Sequence, residues 1–411
     1  MSSSRTRRQK GGDGVPYLPF FTEEHDKLRQ SVRRFVEHEV RPHVDEWEEK
    51  GEFPRSILRR MGELGFLGLR YPIEAGGQGG DYFSAIVLSE ELARCGAGGF
   101  PMAIAVQTEM ATPPILQFGT EWQKQEFLKP AVSGEKLACI GITEADHGSD
   151  VAGIETRAVR SGDGWIIRGS KMYITNGPRA DFITLVARTS DGAGYKGISL
   201  FLVELDRPGV SAGRKLDKVG MRSSDTAELT FDGVRVPEKN LLGQEGQGFY
   251  HIMWELQGER MIASAGAIAT AQYAYELALD YARKRRQFGR PIADFQVIAH
   301  LLAEMATEIE ACRQMTYSVA CRFGKGEAPG KEIAMCKLAA AQVAHWAADR
   351  ALQILGGSGY MEEHPLERMW RDTRLNRIGA GTDEVMKEII WKEMIGRDAS
   401  SHNGGSSRSE P

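Results

Sequence analysis

The sequence predicts a multi-domain α+β protein in which a helical domain, a β domain and a second helical domain follow one another. Three observations carry this. From Phe21 to about Pro130, apolar residues recur at helical spacing. From Ala138 to Gly248, short β-type runs alternate with Gly- and Asp-rich turns, the pattern of a small antiparallel sandwich or barrel. From Phe249 to about Ile395 helical periodicity returns, in segments long enough for a bundle. The boundaries expected are 21–137, 138–248 and 249–397, with disordered tails over 1–20 and 398–411.

In the first domain, Thr22 followed by Glu23 and Glu24 reads as an N-cap with an acidic first turn. Leu28, Val32, Phe35, Val36 and Val40 keep one apolar face, and Pro42 kinks or ends that helix. Pro54 starts a short helix through Leu64, and a longer one runs from about Tyr82 to Arg94. Thr120 with Gln123 is a capping-box pattern. The β runs are Trp165–Arg168, Phe182–Ala187, Ile198–Val203 and Leu229–Val236. In the last domain, Glu255 to Arg290 reads as one long helix. Its stretch from Met261 to Tyr275 is uncharged and rich in small residues, which suits burial and close helix packing.

Composition narrows the function classes. A chain of 411 residues with 41% hydrophobic and 26% charged residues is ordinary globular material. A formal charge of −4 supplies no dominant positive field for nucleic acid. No uncharged apolar run approaches the roughly 18 residues of a membrane span. Five cysteines without CxxC spacing suggest a reducing compartment rather than a disulfide framework. The basic, Ser-rich start MSSSRTRRQK lacks a following apolar segment, so a tail is expected there, with a short transit peptide as the alternative. There is no HExxH, no zinc-type Cys/His spacing, no GxSxG and no GxxxxGK. The Gly-rich stretches 76–80 and 243–248 lack a βαβ context and read as turns.

Two loops hold candidate chemistry. Gly141-Ile-Thr-Glu-Ala-Asp-His-Gly-Ser-Asp150 offers hydroxyls, carboxylates and amides freed by Gly148, or simply Asx and Ser turns. Gly169-Ser-Lys-Met-Tyr-Ile-Thr-Asn-Gly177 puts Tyr173 and Thr175 at alternating strand positions, able to face a flat ligand or merely to end in an Asn-Gly turn.

These stretches, with Lys218-Val-Gly-Met-Arg222, Val236-Pro237, Arg285-x-x-Phe288-Gly289-x-Pro291-Ile292, Gln296, Gln353-Ile-Leu-Gly-Gly357 and Arg371-Asp372, resemble the acyl-CoA dehydrogenase family over roughly Phe21 to Gly396. The resemblance implies a helical domain, a β-barrel and a C-terminal helical bundle, with FAD between the last two. Ile142, Thr143, Gly148 and Ser149 would line the flavin, Ser149 also approaching the CoA arm. Tyr173 and Thr175 would lie against the isoalloxazine. Arg285, Phe288 and Gln296 would meet the FAD of a neighbouring subunit, Gln353 to Gly357 would cover its adenosine end, and Thr382 with Glu384 would complete the site. An acyl-CoA substrate, an electron-transferring flavoprotein as acceptor, a homo-oligomer (usually a tetramer) and a cytoplasmic or, with a transit peptide, mitochondrial location are also implied. Neither nucleic acid nor membrane is an expected partner.

Many relatives place the base, a Glu, just before the Gly-Thr of the final motif; here Ile378-Gly-Ala-Gly-Thr-Asp-Glu384 has Ala380 there. Leu256-Gln-Gly-Glu-Arg260 resembles the isovaleryl-CoA and long-chain branches, whose base sits at the position of Glu259. The resemblance thus implies Glu259 as base, Ala380 N–H as a donor to the thioester carbonyl, and Ser149, Gln257, Arg260, Ala380 and Gly381 around the substrate. The plainer reading of Glu259 is a first-turn acid favoured by the helix dipole. Rival acids have their own readings. Glu255 is expected nearer solvent or paired with Arg260, and Asp383 and Glu384 are first-turn acids after the Thr382 cap. Glu109 either nears the acyl pocket or is a helix-face charge. His147 is a departure from the small residue usual in the family loop, read as tuning the site or as a surface substitution. The competing functions are a flavin oxidase or monooxygenase of the same fold and a non-catalytic flavin-binding relative.

Overall fold

Residues 20–192 and 194–396 are described by the computed structural model, so the expected tails lie essentially outside them. The first helices are α1 (Glu23–Phe35), α2 (Val44–Lys50), α3 (Arg55–Glu63), α4 (Tyr82–Ala93), α5 (Gly99–Ala105), α6 (Pro113–Phe118), α7 (Glu121–Gln123) and α8 (Lys129–Val132). Thr22 caps α1, and His25 completes a capping box that the sequence pattern did not signal. Pro42 lies in a 3-10 turn between α1 and α2, where the missing N–H and fixed φ are tolerated. Thr120 and Gln123 form the expected capping box on α7. Gln123 also sends its amide to the carbonyls of Lys239 and Leu241, tying this corner to the β domain.

The strands are β1 (Ala138–Gly141), β2 (Arg157–Ser161), β3 (Gly164–Thr175), β4 (Phe182–Arg188), β5 (Ile198–Glu204), β6 (Val210–Ala212), β7 (Thr226–Pro237) and β8 (Leu241–Leu242). They pair in the order β6-β7-β3-β2-β4-β5-β8, with β1 parallel to β4. Among the described residues β6 and β8 do not pair, so the ladder is open rather than a closed barrel. Its middle join is slight, since β2 meets β4 only at Arg157 and Arg188. Turn residues mark where strands end but not which edges meet, so closure is beyond the pattern. β4 and β5 are buried along nearly their whole length. Phe182 and Val186 pack on helices including α8, while Ile183, Leu185 and Ala187 fill the sheet's other face. Burial on both faces accounts for their unbroken apolar runs.

The last domain comprises α9 (Gly248–Lys284), a small hairpin of β9 (Arg286–Gln287) and β10 (Arg290–Pro291), then α10 (Gln296–Gly324), α11 (Gly330–Leu355), α12 (Gly357–Tyr360), α13 (Pro365–Thr373) and α14 (Asp383–Met394). The helix expected to reach Arg290 therefore stops at Lys284; Phe288 and Gly289 adopt positive φ and turn the chain back. At 1.5 Å per residue α9 is about 55 Å long. Ala267, Ala271, Ala274 and Ala278 of α9 share a core with Ala340, Ala344, Ala347 and Ala351 of α11, so the two backbones approach closely. On another side, a Cβ at Gly266 would lie 2.8 Å from Ser89 Oγ of α4. Small residues thus decide where α9 runs, and Tyr82 fixes its depth by donating to Gly258 O at 3.1 Å. Asp372 of α13 joins all three parts: its carboxylate accepts from Gly98 N at 2.7 Å and from Met221 N. Burial pushes its pKa up to about 6, with Glu48 adding to the rise.

Candidate active site

The loop after β1 is braced from inside. Glu144 turns into the protein and accepts from Glu155 N at 2.6 Å, Thr156 N at 2.9 Å and Lys171 Nζ at 2.8 Å. Lys171, with a fully buried side chain, also donates to Ile142 O at 3.0 Å, and Met172 N donates to Thr143 O at 2.9 Å. The two loops singled out by sequence are therefore one assembly. Burial lowers the Lys171 pKa to about 8, with Glu144 opposing. Burial also works against charge on Glu144, but Lys171 and the Thr156 and Glu155 donors outweigh it and lower its pKa. The pair stays ionised near neutrality.

This brace presents the predicted cofactor residues outward. Ile142 and Thr143 are half-buried, Gly148 and Ser149 are exposed, and nothing lies within 4 Å of where a Gly148 Cβ would be. The register of β3 against β7 slips between Lys171 and Ile174, which turns Tyr173 outward at φ +62° and 66% exposure. A bulge that re-aims a side chain is a recurrent feature beside functional sites. Thr175 sits half-buried at the end of β3. A bare aromatic face beside hydroxyls and an open glycine fits the flat ring system of a flavin. His147 packs against Gly153, its Nε2 3.9 Å from Glu155.

Other predicted cofactor residues stand apart in this single chain. Arg285, Gln296 and Phe288 are exposed around the β9–β10 hairpin, Phe288 at 92% with φ +50°. Gln353 is exposed near the end of α11, and Gly357 opens α12 with free space around it. Among the described residues no hydrogen bond joins these to the β3 group.

Glu259 belongs to a third group, built where α9, α11 and the turn before α14 meet. Arg260 Nε donates to Ala380 O at 3.0 Å, and Lys337 Nζ of α11 donates to Gly381 O. Both acceptors lie on a turn with positive φ, +56° at Ala380 and +97° at Gly381. Ala380 tolerates this conformation less readily than Gly, and strain of this kind concentrates at functional sites. Thr382 then caps α14 by accepting from Val385 N at 3.2 Å. Glu384 is exposed in that first turn, its own backbone N–H and Thr382 holding its pKa low. Asp383 is buried against Arg377 at 2.7 Å.

Glu259 is half-buried. Burial raises its pKa to about 6, against the opposing pull of Arg260, Glu255 and Lys337. Glu255 departs from expectation: it is 2% exposed and neither of its oxygens has a donor, Arg260 included. Its sequence neighbours hide this, because α9 is enclosed by α4, α11 and the 106–111 segment. Glu109 lies on that segment, a π-helical turn, and is buried with Arg70 at 2.7 Å. Gln257 donates weakly to Met253 O at 3.3 Å and leaves its own oxygen unpaired. Lys337 is absent from the sequence-based set; its signal is a single charge inside the apolar run Ala334–Ala341. Among the described residues no cluster of His, Cys, Asp or Glu could hold a metal ion, and no helix is long and apolar enough to cross a membrane.

Comparison with known proteins adds a relationship. Models of the N-terminal, middle and C-terminal domains of acyl-CoA dehydrogenases match residues 22–135, 139–234 and 246–395. The chain is 37% identical to a mitochondrial isovaleryl-CoA dehydrogenase of Oryza sativa subsp. japonica, over 91% of this chain and 92% of the relative. It is similar to the crystal structure of an acyl-CoA dehydrogenase from Geobacillus kaustophilus, with a TM-score of 0.89 and 40% identity, covering 92% of this chain and all of the other. A glutaryl-CoA dehydrogenase from Mycobacterium smegmatis, solved in complex with FADH2, matches at a TM-score of 0.87 and 30% identity, over 93% and 97% of the two chains.

The buried brace makes a prediction of its own. Lys171→Met leaves the Glu144 carboxylate without its cation and destabilises the protein by roughly 3–5 kcal/mol in denaturant titration. Adding Glu144→Gln to Lys171→Met is expected to recover part of that loss, measured by a double-mutant cycle.

Proposed function

The chain belongs to the acyl-CoA dehydrogenase family, and on that premise we propose that it oxidises an acyl-CoA thioester to the trans-2-enoyl-CoA with Glu259 as the catalytic base. The observation that carries this reading is the clamping of the Ala380–Gly381 turn by Arg260, the residue after Glu259 on α9, and by Lys337, whose charges both act on Glu259. The turn itself carries Ala380 where a carboxyl would otherwise stand, so the proton acceptor is assigned to Glu259. FAD, when bound, supplies the two-electron acceptor that receives the β-hydrogen as hydride.

The chain's own residues do the rest. An α-proton beside a thioester is weakly acidic, so its removal needs both a basic carboxylate and stabilisation of the developing enolate oxygen. A carboxylate whose pKa is already raised by partial burial becomes more basic as an acyl chain excludes the remaining water. The Ala380 N–H is the donor assigned to the thioester carbonyl, a role that needs no side chain. Its left-handed backbone, held by Arg260 on its carbonyl, orients that amide before substrate arrives. Arg260 thereby serves the substrate through the turn, with Gly381 and Gln257 alongside.

Ile142, Thr143, Gly148, Ser149, Tyr173 and Thr175 would hold the flavin on the braced β3 surface, Ser149 reaching also to the CoA arm. Thr382 and Glu384 would complete the site at the start of α14. The bare hairpin at Arg285 and Phe288, with Gln296, and the exposed Gln353–Gly357 segment suit the cofactor of a second copy, so a homo-oligomer is part of the proposal. Guanidinium pairing with pyrophosphate supports Arg285 in that role. Electron-transferring flavoprotein is the proposed acceptor of the electrons.

Two measurements test the base. Glu259→Gln holoenzyme mixed anaerobically with saturating acyl-CoA is expected to bleach its flavin roughly 10²–10⁴-fold more slowly than wild type; bleaching at the wild-type rate overturns the assignment. Because the base must be ionised, kcat/KM is expected to fall as pH drops through about 6, the Glu259 value in the free enzyme. A profile flat through that region contradicts the role.

A further inference from the structure

Glu255 is a buried acid that the chemistry above leaves without a task. It lies one helical turn before Glu259, on the same face of α9, at a spacing that brings side chains together. At 2% exposure both of its oxygens lack a donor. None of the charged groups around it donates to it. Arg260 of the same helix holds Ala380 O, and Lys337 of α11 holds Gly381 O. Glu109 of the 106–111 segment is paired with Arg70, and the Tyr82 hydroxyl of α4 donates to Gly258 O. An ionised carboxylate enclosed beside two further acids has no donor and only the charge of Arg260 to offset its lost hydration. A neutral carboxyl escapes that cost, because its O–H can donate to the Glu259 carboxylate, one turn further along the same face. Two carboxyls with only acceptor oxygens cannot bond when both are ionised, and one shared proton removes that conflict.

We propose that Glu255 stays protonated and acts as a positioning residue, its O–H holding the Glu259 carboxylate in place and setting its basicity. Burial and the nearby Glu259 push Glu255 well above the usual carboxylate range, which agrees with this. The inference rests on Glu259 being the base. During the reaction the α-proton passes from the substrate carbon to Glu259, and Glu255 keeps its own proton throughout. The hydrogen bond favours the ionised form of Glu259, so it keeps the base ready at neutral pH where burial alone would protonate it.

The test uses the holoenzyme and its Glu255→Gln, Glu255→Leu and Glu259→Gln variants. Infrared difference spectra at neutral pH are expected to show a protonated-carboxyl band in wild type and E259Q that is missing from E255Q. In the pH profile of flavin reduction, E255Q retains a donor and keeps the wild-type acid limb. E255L moves that limb to higher pH, with reduction roughly tenfold slower at the wild-type midpoint. A limb that moves to lower pH in E255Q means that an anion has been removed, and overturns the proposal. An unmoved limb in E255L, or a band that persists in E255Q, overturns it as well. Failure of the base assignment reads out separately, as wild-type flavin reduction by E259Q, and takes this proposal with it.

Discussion

Two buried cations decide the geometry of the centre. Arg260 from α9 and Lys337 from α11 each donate to a carbonyl of one left-handed turn, Ala380 and Gly381. Burial disfavours both charges, lowering Arg260 and bringing Lys337 down to about 8. Such groups need full-strength acceptors, and the half-buried carbonyls of a left-handed turn provide them. The turn in turn leads directly into the Thr382 cap of α14. Breaking either contact would free the backbone whose amide is proposed to meet the thioester and would leave a buried cation without its carbonyl acceptor.

That clamp works only because the helices carrying it run close together. Alanines between α9 and α11, and Gly266 against α4, allow backbones to approach where larger side chains would hold them apart. The acids of the centre then separate by environment. Glu109 has its own arginine, Asp383 has Arg377, Glu384 has its helix start and water, and Glu259 keeps an opening. Glu255 alone has none of these. Chemically identical groups acquire different protonation behaviour from what surrounds them, which is how one helix can carry both a base and the acid proposed to hold it.

Much of this is legible in the sequence, for identifiable reasons. The α-β-α order follows from periodicity, and the caps at Thr22, Thr120 and Thr382 from side-chain chemistry acting within three residues. Local rules fail where a distant partner decides. Glu255 reads as a solvated helix acid until α4, α11 and the π-helical turn close over it. Lys171 reads as a strand lysine until Glu144 appears beneath it, although both lie in stretches already marked by motif. Sheet closure and the early end of α9 depend on edges and turns meeting in space. The loss of a carboxyl at Ala380 is plain in the sequence, yet the clamp that ties that turn to Arg260 is not.

Removal of the α-proton by Glu259 itself is isolated by an acyl-CoA analogue with sulfur in place of the β-carbon, because it has no β-hydride to lose. Held with holoenzyme in D2O and followed by NMR, its α-hydrogens are expected to wash out with wild type and to persist with the Glu259→Gln variant. Equal washout by both proteins would mean that another group takes the proton.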